Sequence, residues 1–278
     1  GPDFDFGAGP NLFTTANPVT GRPEQLLGAG QKSGVYWALD PATGAVAWQT
    51  IIGPAGNGGN GGIENGTATD GRRIYAAEGD TAGKPYTLGG SGPYAGQTAT
   101  AGSWAALDPA TGKILWQTQV GPAGNGGLGG IEYGAATDGR RIYAAEGDTA
   151  KIPYTLGGSG PYAGQTVTGG SWAALDPATG KILWQTPDPQ GAVDASFVST
   201  ANGVVYAGSM AAAGTNMYAL DAATGKILWS FASGGSVTGG AAIAGGSVYW
   251  GSGYCGTLCL GGTTPVLNNN KVYAFGLK

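Results

Sequence analysis

The chain has 278 residues, 57 of them glycine, with 8 Trp, 13 Tyr and 6 Phe, no histidine and a formal net charge of −4. Abundant aromatics without a glycine period of three exclude collagen and argue against disorder. The absence of histidine excludes Ser-His-Asp, Cys-His and His-ligated metal chemistry within the chain, and the absence of a basic block argues against nucleic acid.

In chain order, "PDFDFG" (2–7) leads into the first unit, which runs to about residue 52 and closes on "ALDPATGAVAWQT" (38–50). The chain starts without Met, which raises the expectation of processing, truncation or an incomplete record. The second and third units span about 53–120 and 121–188. Segments 53–118 and 121–186 differ at seven of 66 positions, so they must share one backbone conformation. In the third, "GIEYGAAT" meets the turn Asp138-Gly139 and then "RRIYAAEG". A long loop follows, then "GSWAALD", the turn "PATG" and "KILWQT". Asp-Gly between β runs is a hairpin signal; Pro presets φ in the second turn and Gly supplies the positive φ at its exit. Each unit therefore reads as four short antiparallel strands. The fourth unit, about 189–233, carries "ALDAATGKILWSF"; the fifth, about 234–278, ends at "KVYAFGLK" with a third strand but no fourth strand and no motif Trp. No apolar run approaches the ~18 residues of a membrane span.

Tandem four-stranded antiparallel units predict an all-β protein, a β-propeller with five blade units in one domain, 1–278. The expected ring is larger, seven or eight blades, completed upstream or by blades of another chain. The pattern A-x-D-x-x-x-G-x-x-x-W recurs four times, ending at Trp48, Trp116, Trp184 and Trp229. A catalytic residue need not recur in every blade, so the motif reads as scaffolding. The two hairpin turns of each blade then share one face, and the long connections lie on the opposite face, where binding is expected. Most of the acids outside the turns fall in or beside those connections, Asp188 and Asp194 among them, and they read as solvated. Glu78/Asp80 and Glu146/Asp148, in two copies of "EGD", offer oxygen ligands of the kind Ca²⁺ takes, though without EF-hand spacing. Cys255 and Cys259 would lie too far apart in a straight strand to bridge; in a tight loop they could pair, and two unpaired thiols is the other reading.

The repeated motif resembles the tryptophan-docking motif of the pyrroloquinoline quinone (PQQ) propeller family. "DFDFGAGPNLF", "GAGQKSGVYWALDPATG", "GGIEYGAATDGRRIY", "NGVVYAGS" and "VYAFGLK" look like the C-terminal part of polyvinyl alcohol dehydrogenase-like quinoproteins. The resemblance implies PQQ and Ca²⁺ on the propeller axis, a small or polymeric alcohol as substrate, a haem as electron acceptor, and a periplasmic or extracellular location. It makes Asp3 or Asp5 the catalytic base, Asp3 preferred, taking the alcohol proton as hydride passes to the quinone. It places Lys32 against the quinone. The family's calcium-ligating Glu and Asn and its quinone-stacking Trp have no counterpart here, and no C-x-x-C-H haem site exists. A non-catalytic propeller that binds, scaffolds or assembles other molecules is the alternative.

Overall fold

The computed structural model describes residues 4–56, 61–81, 83–122, 129–130, 133–253 and 269–276. Among these there is no helix long and apolar enough to cross a membrane. The described chain forms five main antiparallel sheets in sequence order, with an apolar cluster packed between each sheet and the next.

The first sheet is β1 (Asn11–Ala16), β2 (Pro23–Gly30), β3 (Val35–Leu39) and β4 (Val46–Ile51), in that order. The second holds β5 (Ala68–Thr69), β6 (Ile74–Glu78), β9 (Ser103–Leu107) and β10 (Ile114–Gln119); its long connection contains the small hairpin β7 (Tyr86–Thr87) and β8 (Thr98–Ala99). The third repeats this plan. It adds β11 (Gly129–Gly130) to β12 (Ala136–Thr137), β13 (Ile142–Asp148), β16 (Ser171–Leu175) and β17 (Ile182–Pro187), with the hairpin β14 (Tyr154–Thr155) and β15 (Thr166–Val167) in its connection. The fourth sheet is β18 (Ser199–Ala201), β19 (Val204–Gly208), β20 (Met217–Asp221) and β21 (Ile227–Phe231); the fifth has three strands, β22 (Ala242–Ala244), β23 (Ser247–Ser252) and β24 (Lys271–Gly276).

The turn of the Trp motif is built the same way four times. Asp40 Oδ1 accepts the amides of Ala42 and Thr43 at 2.7 and 3.0 Å, and these amides hold its carboxyl below the usual carboxylate range. Asp108, Asp176 and Asp221 make the same pair of bonds. Gly44, Gly112, Gly180 and Gly225 exit the turn at φ between 71° and 75°, where a side chain is strained.

Three of the four motif tryptophans reach into the following sheet. Their indole N–H groups donate to backbone carbonyls of its motif turn: Trp48 to Pro109 at 3.0 Å, Trp116 to Pro177 at 2.9 Å and Trp184 to Ala222 at 3.0 Å. A Cβ added to Gly112, Gly180 or Gly225 would stand 2.4–2.6 Å from the benzenoid ring of the arriving indole, so these positions must be bare for contact as well as for φ. Two residues after each Trp, a threonine hydroxyl donates to the carbonyl of the same glycine: Thr50 at 2.6 Å, Thr118 and Thr186 at 2.7 Å. Each contact is thus a stacked indole clamped by two hydrogen bonds.

The fourth differs. Trp229 is followed by Ser-Phe, and no motif turn of the fifth sheet receives it among the described residues. The residue is 39% exposed, and its ring lies against Phe231 and Phe275. Together with Val248 and Trp250 it lines an apolar cleft of about 640 Å³ between the fourth and fifth sheets.

The long connections do not simply fan out over the far face. Between β7 and β8 the chain folds back along the outer strand β10, where Ser91 N–H donates to Leu115 C=O at 2.8 Å and Gly90 bridges Trp116. Ser159 and Gly158 do the same against β17. Part of each connection therefore pairs with an outer edge that would otherwise present free N–H and C=O groups to other chains.

Trp116→Ala is expected to cost about 3–5 kcal/mol in urea denaturation, the range for deleting a buried indole. Trp229→Ala, which removes a partly exposed ring with no such clamp, should cost clearly less.

Candidate functional site

The face opposite the motif turns carries most of the polar groups singled out in the sequence. Lys32 sits in the turn after β2. Its backbone is fixed from both sides: its N–H donates to Asp5 C=O at 3.1 Å, and its carbonyl accepts Gly56 N–H at 3.0 Å. A Cβ on Gly62 would stand 2.1 Å from that carbonyl, so only glycine lets the lead-in loop of the second sheet pass. The Lys32 ammonium lies 3.8 Å from Asp5 Oδ2; the lysine side chain is 18% exposed and the aspartate 76%. Two of the residues matched to the quinone family are thus brought together, with the carboxylate open to solvent. Asp3, Cys255 and Cys259 lie outside the described residues.

Strand pairing sets Gln31, Glu78 and Glu146 at one level. Gly28, Tyr75 and Tyr143 pair with the motif alanines Ala38, Ala106 and Ala174, and the three polar residues come three positions later. Gln31 Oε1 accepts Ser33 Oγ at 2.6 Å and Trp37 Nε1 at 3.3 Å. Glu78 and Glu146 are wholly buried. Each carboxylate contacts a tyrosine from the small hairpin: Tyr86 Oη to Glu78 Oε2 at 3.0 Å and Tyr154 Oη to Glu146 Oε2 at 2.7 Å.

The proton count at these tyrosines is informative. Tyr154 Oη also lies 2.9 Å from the carbonyl of Gly169, and Tyr86 Oη 2.9 Å from that of Ala101. A phenol has one hydrogen and cannot donate to both acceptors. At Tyr154 both contacts are satisfied if Glu146 is protonated and donates to the phenol oxygen while the phenol donates to Gly169. Burial pushes the Glu146 carboxyl well above its usual range, in agreement.

Six acids of the long connections are therefore not the solvated surface groups expected, whereas Asp5 is exposed. Asp80, Asp148, Asp188 and Asp194 are buried along with the two glutamates. Asp80 Oδ1 accepts the amide of Lys84 at 3.1 Å, and Asp148 Oδ1 that of Ile152 at 3.2 Å, so these carboxylates shape their loops. Among the described residues, no three Asp, Glu, Cys or His side chains form a group able to hold a metal ion. The clamp threonines also escaped the sequence reading, although "WQT" in three copies and "WSF" in the fourth marked them.

The comparisons with known proteins agree with this architecture. A family model described as outer membrane protein assembly factor BamB matches residues 168–275. A polyvinylalcohol dehydrogenase of Sphingopyxis sp. (strain 113P3) is 39% identical over 119 residues, which are 42% of this chain and 15% of that protein. Among solved structures, the quinohemoprotein alcohol dehydrogenase ADHIIG of Pseudomonas putida HK5 superposes with a TM-score of 0.51 at 17% identity, over 75% of this chain and 33% of that one. The quinohemoprotein alcohol dehydrogenase of Comamonas testosteroni gives 0.51 at 14% identity, over 90% and 43%. The structural likenesses establish the fold, and in each case the match spans less than half of the relative's length.

Tyr154→Phe leaves the Gly169 carbonyl and Glu146 without their hydroxyl partner. It is expected to destabilise the protein by about 1–3 kcal/mol in urea denaturation.

Proposed function

We propose, on the premise that this chain is a PQQ-type β-propeller, that it contributes one sector of a quinone-dependent alcohol dehydrogenase. The observation that carries the reading is the meeting of Asp5 and Lys32, two residues the resemblance assigns to the quinone site, at 3.8 Å on the face away from the motif turns. The identity to a polyvinylalcohol dehydrogenase supports it.

The residues fit one edge of such a site. The Lys32 ammonium would hold a quinone oxygen or carboxylate, held in place by two backbone hydrogen bonds. PQQ, when bound, supplies the hydride acceptor. The exposed carboxylate of Asp5, or Asp3 beside it in sequence, would take the alcohol proton, and Lys32 would orient that carboxylate. The described residues do not form a calcium centre, so calcium would need ligands from further blades of the ring, in this protein or in another chain. A small or polymeric alcohol as substrate, a haem protein as acceptor and a periplasmic or extracellular location follow from the same reading.

A second reading, a propeller that binds or assembles other proteins without catalysis, is favoured by the match of residues 168–275 to the assembly-factor family model.

The purified protein should be incubated with PQQ, Ca²⁺, an alcohol and an artificial electron acceptor. The dehydrogenase reading predicts alcohol-dependent reduction of the acceptor, reduced about 10²–10⁴-fold by Asp5→Asn or Asp3→Asn, whichever is the base. It also predicts weaker quinone uptake by Lys32→Met. No quinone uptake by the wild-type protein would leave the binding or assembly reading.

A further inference from the structure

The two near-identical repeats provide an internal control for the junction between the third and fourth sheets. After β4 and β10, the residue following the clamp strand is apolar and buried: Ile52 and Val120. After β17 the same position, two residues beyond Thr186, is Asp188. In the lead-in loop, Gly130 lies so close to Gly102 that its Cβ would stand 2.6 Å from the Gly102 amide. One repeat later, a Cβ on Gly170 would stand 2.5 Å from the amide of Asp194 and 2.9 Å from its Cβ. Asp194 thus takes the place of Gly130. An apolar residue and a glycine have been replaced by two aspartates at one contact.

Both aspartates are buried, Asp194 completely and Asp188 to 4% exposure. Asp188 Oδ1 accepts the amides of Gln190 at 2.6 Å and Ala192 at 3.3 Å, which closes the loop. Asp188 Oδ2 and both oxygens of Asp194 are buried without a donor among the described residues. Gly170 ties the two together: its carbonyl accepts the Asp188 amide at 2.9 Å, and Asp194 packs against its Cα. Two ionised carboxylates cannot satisfy one another, whereas an acid and a carboxylate can. A metal would relieve the pair in another way, but the described acids do not converge in threes.

We propose that Asp188 and Asp194 share one proton across the junction of the third and fourth sheets, and that its loss as pH rises loosens the segment 188–197. That segment borders a cavity of about 490 Å³ lined by Lys151, Gln190, Val193 and Met210. Deprotonation releases the proton to solvent and leaves two facing negative charges, one just after the last strand of one sheet and one in the lead-in of the next. The charged and titratable neighbours are known. Glu146 on β13 adds like charge when ionised, the Lys151 ammonium opposes it and also faces Asp148, and Tyr154 and Tyr218 face the pair. Burial and the facing Asp188 hold the Asp194 carboxyl well above its usual range.

The sign follows from linkage. An unfolded aspartate releases its proton near pH 3.9. The folded Asp194 carboxyl keeps its proton above that, so the native state binds more protons and stability must fall as pH rises until Asp194 is ionised. Asp194→Asn places a permanent donor against Asp188 Oδ2. Melting temperatures of wild type and this variant should be measured from about pH 5 to about pH 9. The wild type should lose several degrees more than the variant across that range. Hydrogen exchange of the Gln190 and Ala192 amides, corrected for the intrinsic pH effect, should accelerate at least ~10-fold in the wild type and stay flat in the variant. Glu146→Gln, which leaves the pair intact, should keep the wild-type acceleration. Parallel pH slopes in wild type and Asp194→Asn would overturn the proposal. So would a wild-type melting temperature raised by Ca²⁺ alone and unresponsive to it in the variant, which would make the pair a cation site.

Discussion

The structure depends on one contact, made three times: an indole from one sheet laid over a bare glycine of the next and clamped by two hydrogen bonds. Trp116 shows why all its parts are needed. The ring can lie flat only because Gly180 lacks a Cβ, and Gly180 can be in place only because Asp176 has turned the chain there with two side-chain bonds. The indole N–H takes the Pro177 carbonyl and the Thr118 hydroxyl takes that of Gly180, so the polar groups of the turn are not left unpaired as the ring buries them. Apolar burial supplies strength and the two bonds supply direction. Each sheet is therefore set at a fixed angle to the next, and a propeller follows from repetition. Where the motif turn and the threonine are both missing, at Trp229, the sheets part to leave an apolar cleft.

This contact frees the other end of the strands. The tight turns are used up in holding sheets together, so variation concentrates at the far ends, where Lys32, Glu78, Glu146, Asp188 and Asp194 lie. The level shared by Gln31, Glu78 and Glu146 passes from an amide to two buried acids around the same scaffold. Neutral or proton-sharing acids suit such positions, since an ionised carboxylate without partners would oppose folding.

Much of the fold was legible because its signals are local. Asp-Gly and Pro-Ala-Thr-Gly turns, four motif tryptophans and two copies differing at seven positions announce repeated antiparallel sheets. The three strands described for the fifth sheet were visible in the same way. What the sequence hid was non-local. Nothing in "GGSGPYAG" says that it folds back on its own outer strand, because the bonds it makes are backbone bonds any residue can form. The acids of "EGD" and of 188–194 look like loop residues, and only the packing of neighbouring sheets buries them. Of the candidate site, Asp5 and Lys32 stand 3.8 Å apart, whereas one oxygen of each acid offered for calcium contacts a tyrosine or a loop amide.

Exchange of the tryptophan indole protons, followed by nuclear magnetic resonance, tests the central claim most directly. If the clamps hold the sheets together, the indole protons of Trp48, Trp116 and Trp184 should exchange only through extensive unfolding, while that of Trp229 exchanges fast. Equal and rapid exchange at all four would contradict the account.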